Sequence, residues 1–242
     1  MKAKIPRVLL GTSPFIGAGQ FGFRSREYYS RFYDHPDRVA KIICKAHELD
    51  VTAVQLLPYD FLIDAVREAE RKLGERIPMV ASIVSGTDLE KLHGLEAPAT
   101  LLHAEVTDSR DVERIGPQLD AIRETGSLAG LATHRPLSTL NWLMGAGLDI
   151  DAVMLPLNMV GRFMDSGPEE VVEAIRSLDK PVIVKKTLAA GALDPEEALT
   201  YLARLKCVHA VAVGVASEKE AEETLPVAVR LFGSRSGGKP VT

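Results

Sequence analysis

The chain has 242 residues, a formal net charge of -4 from 29 Lys and Arg against 33 Asp and Glu, and 46% hydrophobic residues. That length suits one α/β domain with a large core, and the interspersed charge, with no basic stripe, argues against nucleic acid as a partner. Cys44 and Cys207 stand far apart in apolar segments and no Cys-x-x-Cys is present, so a cytoplasmic protein with reduced thiols is expected.

RVLLGT (7–12) is the first candidate strand. The basic start that leads into it is broken by Gly11, Ser13 and Pro14, too soon for a signal-peptide core, and no later run has the roughly 18 apolar residues of a membrane span. The segment SPFIGAGQFGFRSREYYSRFYDHP is far longer than an ordinary strand-to-helix connection and reads as a lid or binding loop. A helix over 37–50 follows, with Val39, Ile42, Ile43, Ala46 and Leu49 on one stripe, then an apolar strand over 51–58. Next come a helix over 61–74 stopped by Gly74, a strand over 77–84 and a short helix near 88–97. The strand over 99–106 carries His103 and Glu105 with one parity, and Asp108, Ser109 and Asp111 offer caps for a helix that Pro117 should kink or delay.

A strand over 127–134 is followed by a helix opened by Pro136, a strand over 151–158, the loop VGRFMDSG and a helix over 168–179 begun by Pro168. KPVIVKK and VHAVAVG are the last two strands, each leading through a glycine-containing turn to a helix. Residues 1–232 therefore make one domain of eight strand–helix units, and 233–242, GSRSGGKPVT, a flexible tail. Such alternation demands parallel strands with right-handed crossovers, and eight of them close into a single (β/α)8 TIM barrel. An open doubly wound sheet is the lesser alternative.

Sites in this fold gather at the carboxyl ends of the strands. The polar residues there are Thr12, Ser13, Gln55, Tyr59, Asp60, Ser82, Ser85, His103, Glu105, Thr133, His134, Asn158, Lys185, Lys186 and Ser217. Lys186 is read as pointing into the mouth, where an ammonium is costly unless an anion meets it, and Lys185, of opposite parity, as a surface residue. The turns closed by Gly191 and Gly214 lead to helix N-termini, which suit phosphate.

These segments carry a resemblance to the aldo-keto reductase superfamily. LGTSPFIGAGQFG is similar to that family's opening, LLHAEVTDSRD to its fourth strand, GLATHRPLSTLNWLMGAGLDIDAVMLPLN to its fifth and sixth, KKTLAAGAL to its seventh-strand loop and VGVASEKEAEETL to its eighth-strand loop. The resemblance implies a barrel that binds NADP or NAD and reduces a small carbonyl compound. It places His103 and Tyr59 at the family's histidine and tyrosine, while Val54 stands where its aspartate is expected and the third strand lacks its lysine; Leu157 and Met154 stand where an aromatic and a glutamine are expected. It further implies cofactor contacts from Thr133, His134, Asn158, Leu188, Gly191, Gly214, Ser217 and Lys219, with Lys219 and Arg235 toward a 2′-phosphate.

The leading expectation is thus an oxidoreductase in which Tyr59 donates the proton, His103 orients the carbonyl and Lys186 replaces the missing lysine in lowering the tyrosine pKa. A lyase, aldolase or isomerase of a phosphorylated substrate, with Lys186 as Schiff-base or electrostatic residue, stays open. So do a metal site on His103, Glu105 and His134, and a barrel that only binds nucleotide or phosphate. The expected partner is a small-molecule substrate, with no nucleic acid and no membrane; a homo-oligomer is left open.

Overall fold

A computed structural model describes residues 5–233. The tail expected over 233–242, apart from Gly233, lies outside the described residues, as does Arg235. Eight parallel strands pair in chain order and close: β1 (Val8–Gly11), β2 (Val54–Leu56), β3 (Met79–Ile83), β4 (Ala99–Leu102), β5 (Leu128–Ala132), β6 (Ala152–Pro156), β7 (Val182–Lys185) and β8 (Ala210–Val213). Closure is made by β8 on β1, with Val8 opposite Val211 and Leu10 opposite Val213.

Side-chain alternation divides the strands cleanly. Leu9, Ala53, Val80, Leu101, Ala132, Met154, Ile183 and Ala212 fill the barrel interior, while Leu10, Val54, Ala81, Leu102, Val153 and Val184 join the larger core between strands and helices. The interior leaves no slack at β5: a Cβ on Gly130 would lie 2.3 Å from the Ala152 carbonyl oxygen and 2.5 Å from Leu101 Cδ2. Glycine is there because its register partners on the two flanking strands, Leu101 on β4 and Ala152 on β6, fill that space.

The first long connection is not all loop. It folds into a 3₁₀ turn at Gly19–Phe21 and the helix α1 (Arg24–Phe32) before α2 (Pro36–Glu48) begins. Tyr28 and Phe32, four apart and so on one face, are buried, and Phe32 meets Phe15 edge to face at 5.0 Å between centroids. These anchors hold α1 at the rim. The helices α3 (Asp60–Leu73) and α4 (Gly86–Lys91) follow β2 and β3; Gly74 ends α3 in the left-handed conformation, φ 72°.

Strand β4 stops at Leu102, sooner than the expected 99–106, and His103 becomes the N-cap of a short helix, α5 (Ala104–Thr107). His103 and Glu105 therefore do not share a strand face. Helix α6 (Val112–Glu124), capped by the Asp111 side chain, runs through Pro117. Helices α7 (Pro136–Leu143), α8 (Pro168–Arg176), α9 (Pro195–Arg204) and α10 (Glu218–Phe232) complete the outer layer, the first three each beginning with proline. No helix among the described residues is long and apolar enough to cross a membrane.

Candidate functional site

Two adjoining cavities open at the carboxyl ends of the strands, an inner one of about 290 Å³ and an outer one of about 830 Å³. Ser13, Gln20, Leu57, Ser82, His103, His134 and Lys186 line both. The inner cavity is floored by Gln55, Met154 and Lys185 and extends past Leu188 and Gly191 to Gly214 and the first turn of α10. The outer cleft is walled by Tyr33, Tyr59, Phe61 and Phe163, with the Tyr33 and Phe61 rings 4.9 Å apart.

Lys185, expected outward, faces in. It follows Ile183 by two residues on β7, and Ile183 belongs to the interior layer, so the pleat turns both into the barrel. Burial first, and the neighbouring Lys186 ammonium second, push the Lys185 amine down to about 7, against the pull of Asp108. Lys186 also reaches both cavities because its backbone leaves the strand with φ 57°, breaking the alternation. Its Nζ lies 5.3 Å from the centre of the Phe163 ring. Burial depresses its pKa as well. Ala189 and Ala190 are left-handed too, so this turn holds backbone strain where sites commonly keep it.

The two histidines are held in defined states. The His103 Nδ1 accepts the Glu105 backbone N–H at 3.2 Å, which leaves the ring proton of the neutral imidazole on Nε2. Burial, then Lys185, lower the His103 pKa, and the desolvated inner side of the His134 ring, with Lys185, Lys186 and His103, drives His134 down to about 3 although the residue is exposed at the rim. Asp108 sets the β5 corner: its carboxylate accepts from the Thr133 hydroxyl and from the His134 N–H, the latter at 3.1 Å.

The other residues singled out in the sequence lie as follows. Tyr59 caps α3 at the rim of the outer cleft, its ring 6.3 Å from Tyr33 and 42% exposed. Thr133 is fully buried and bonded to Asp108, Thr139 (2.8 Å) and the Arg135 N–H, and it lines neither cavity. Asn158, also fully buried, donates to the carbonyls of Arg162 (2.8 Å) and Lys186 (3.3 Å) and accepts from the Arg162 N–H. It ties the β6 loop to the turn that bears Lys186. Leu188, Gly191 and Gly214 line the inner cavity, whereas Ser217 and Lys219 line a separate recess with Arg31, Arg38 and Lys41. Ser217 caps α10 by accepting the Glu220 N–H, and Lys219 reaches Glu223 at 3.8 Å. Glu105 is exposed at the edge of the outer cleft, and among the described residues no three His, Cys, Asp or Glu side chains converge as a metal-ligand set.

Sequence reasoning passed over Arg24 and left Ser82 and Gln55 unselected. Arg24 Nη2 donates to the Ala190 carbonyl, latching α1 across the inner cavity, and its guanidinium would stand 2.7 Å from a Cβ on Gly191. The Ser82 hydroxyl is buried and without a hydrogen-bond partner. Its place at a strand end was the available signal.

The fold is shared with aldo-keto reductases. A Pseudomonas aeruginosa protein assigned provisionally to that family matches with TM-score 0.65 at 17% identity, covering 93% of this chain and 90% of its own. Aldose reductase from Giardia lamblia matches with TM-score 0.62 at 11% identity over 96% and 92% of the two chains. An aldo/keto reductase from Klebsiella pneumoniae, solved with NADP and acetate, matches with TM-score 0.60 at 13% identity over 97% and 94%. No protein-family model and no curated protein sequence matches the chain.

Proposed function

We propose that this protein is an oxidoreductase of the aldo-keto reductase type, reducing a small carbonyl compound with NADPH or NADH. The observation that carries the reading is that Tyr59, His103 and Lys186, brought from three separate strand ends, line one cleft, and that this cleft adjoins a cavity running to the Gly191 and Gly214 turns. The likeness of the whole barrel to aldo-keto reductases supports it.

The inner cavity fits a nicotinamide dinucleotide on two counts. A guanidinium, that of Arg24, stands over the Gly191 turn, where an anionic pyrophosphate would find a cation and a close backbone. The orphaned Ser82 hydroxyl, with Gln55 and His134 beside it, offers hydrogen bonds to a carboxamide, the role that Thr133 and Asn158 leave vacant by bonding internally. Nicotinamide, when bound, supplies the hydride.

The chain's own residues handle the carbonyl oxygen. His103, neutral with its proton on Nε2, donates a hydrogen bond that polarises the carbonyl. The Tyr59 hydroxyl gives the proton, and Lys186 lines the same cleft. Leu57, Phe61 and Phe163 give that exchange an apolar and aromatic wall. Titrating the purified protein with NADPH and with NADH, read by nicotinamide fluorescence, tests the reading; saturable quenching is expected, and no response at millimolar cofactor overturns it.

A further inference from the structure

Lys185 has no part in the reaction proposed above, yet it occupies the centre of the inner cavity floor. We infer that Lys185 is a covalent carbonyl-binding residue, whose amine condenses with an aldehyde or ketone entering the inner cavity to form an imine without help from nicotinamide.

Geometry is the first ground. The pleat of β7 turns Lys185 inward, Pro156 pairs with it across the β6 edge, and its amine shares the cavity with Gln55, Ser82, His103 and His134. Among the described residues it makes no ion pair with a carboxylate. Asp108, the acid that bears on it, is already committed to Thr133, His134 N and Thr139. A lysine built to bind or balance a charge would be given one; this one is given a cavity, a hydroxyl without a partner and a second ammonium as neighbour.

Chemistry is the second ground. With burial and Lys186 lowering its pKa to about 7, a far larger share of the amine is unprotonated at neutral pH than of an ordinary lysine. The lone pair on Nζ attacks the carbonyl carbon, a C–N bond forms, and the carbonyl π pair moves to oxygen, which takes a proton. The adduct nitrogen loses one proton to give the carbinolamine; its hydroxyl, protonated, leaves as water while the nitrogen lone pair forms the C=N bond, and the iminium nitrogen then loses its second proton, so the sum is amine plus carbonyl giving imine plus water with no oxidant or reductant. His103 Nε2–H and the unpartnered Ser82 hydroxyl line the same cavity and serve the oxygen as it gains negative charge and then departs. The strained turn at Lys186, Ala189 and Ala190, held by the Asn158 and Arg24 bonds, directly follows the strand end that carries the amine.

The test uses the whole chain at neutral pH with no nicotinamide. The protein is equilibrated with glyceraldehyde or with dihydroxyacetone, treated briefly with sodium borohydride, weighed intact and mapped by peptide mass. One adduct per chain on Lys185 is expected, roughly ten-fold above any exposed lysine, absent in Lys185→Met and retained in Lys180→Met. Adducts spread over surface lysines, with equal yield in Lys185→Met, overturn the inference; the wild-type peptide map decides alone if that variant does not fold. Trapping at Lys185 without cofactor binding sinks the reductase reading and keeps this one, and carbonyl reduction without trapping does the reverse.

Discussion

The rings of His103 and His134 meet edge to face, 5.6 Å between centroids, at the ends of the adjacent strands β4 and β5. His103 is half-buried and His134 exposed at the rim, and local desolvation with the Lys185 charge, joined at His134 by Lys186, makes each resist protonation. The mouth of the barrel is thus a place where uncharged imidazoles and a near-neutral amine coexist at physiological pH.

That arrangement sets the acid side of stability. His134 has an ordinary pKa of 6.5 and a folded value of about 3. Between those values the unfolded chain binds a proton that the folded chain does not, so stability falls as pH is lowered through the window, by well under the full one-proton slope because His134 is exposed at the rim and screened by solvent. His134→Gln should flatten this slope, as read from urea midpoints near neutrality and in mild acid. An unchanged slope would contradict the lowered pKa of His134.

Lys185 sets the alkaline side. Its folded pKa of about 7 lies below the ordinary 10.5, so between the two the unfolded chain again holds the extra proton and wild-type stability rises with pH. Lys185→Met removes a group that opposes folding. The variant should melt above wild type at pH 7, with the difference shrinking toward zero as pH approaches 10.5. A variant that melts lower at every pH would show that the amine has a stabilising partner.

Gly130 tests the barrel itself. Alanine there must displace the Ala152 carbonyl or the Leu101 side chain. Gly130→Ala should cost about 1–3 kcal/mol or more, seen as a lowered melting temperature. Wild-type stability would mean that the interior has space the packing denies it.

The latch of α1 is open to the same kind of check. Arg24→Ala removes both the bond to the Ala190 carbonyl and the cation over the Gly191 turn. Loss of one charge-assisted contact should weaken NADPH binding roughly ten-fold with little change in melting temperature, as measured by fluorescence titration.

Much of this molecule was legible in its sequence, and the gaps have physical causes. All eight strands lie within the expected segments because a parallel strand buried on both faces must be a continuous apolar run. The same continuity hides parity: Val182, Ile183 and Val184 give no clue to which side faces in, so Lys185 was assigned to the surface. The left-handed turn at Lys186 then cancels the alternation that the assignment relied on. Helix α1 was missed because it buries only Tyr28 and Phe32 and is otherwise charged rim. Thr133 and Asn158 sat at strand ends, but sequence does not say that Asp108 and Arg162 would engage them first.

The most direct measurement is the rate of NADPH oxidation with a panel of small aldehydes, compared across wild type, Tyr59→Phe and His103→Ala. Wild type should turn over, and each variant should lose about 10²-fold or more in kcat while still quenching NADPH fluorescence. Turnover in both variants equal to wild type would contradict the assignment of the outer cleft as the carbonyl site.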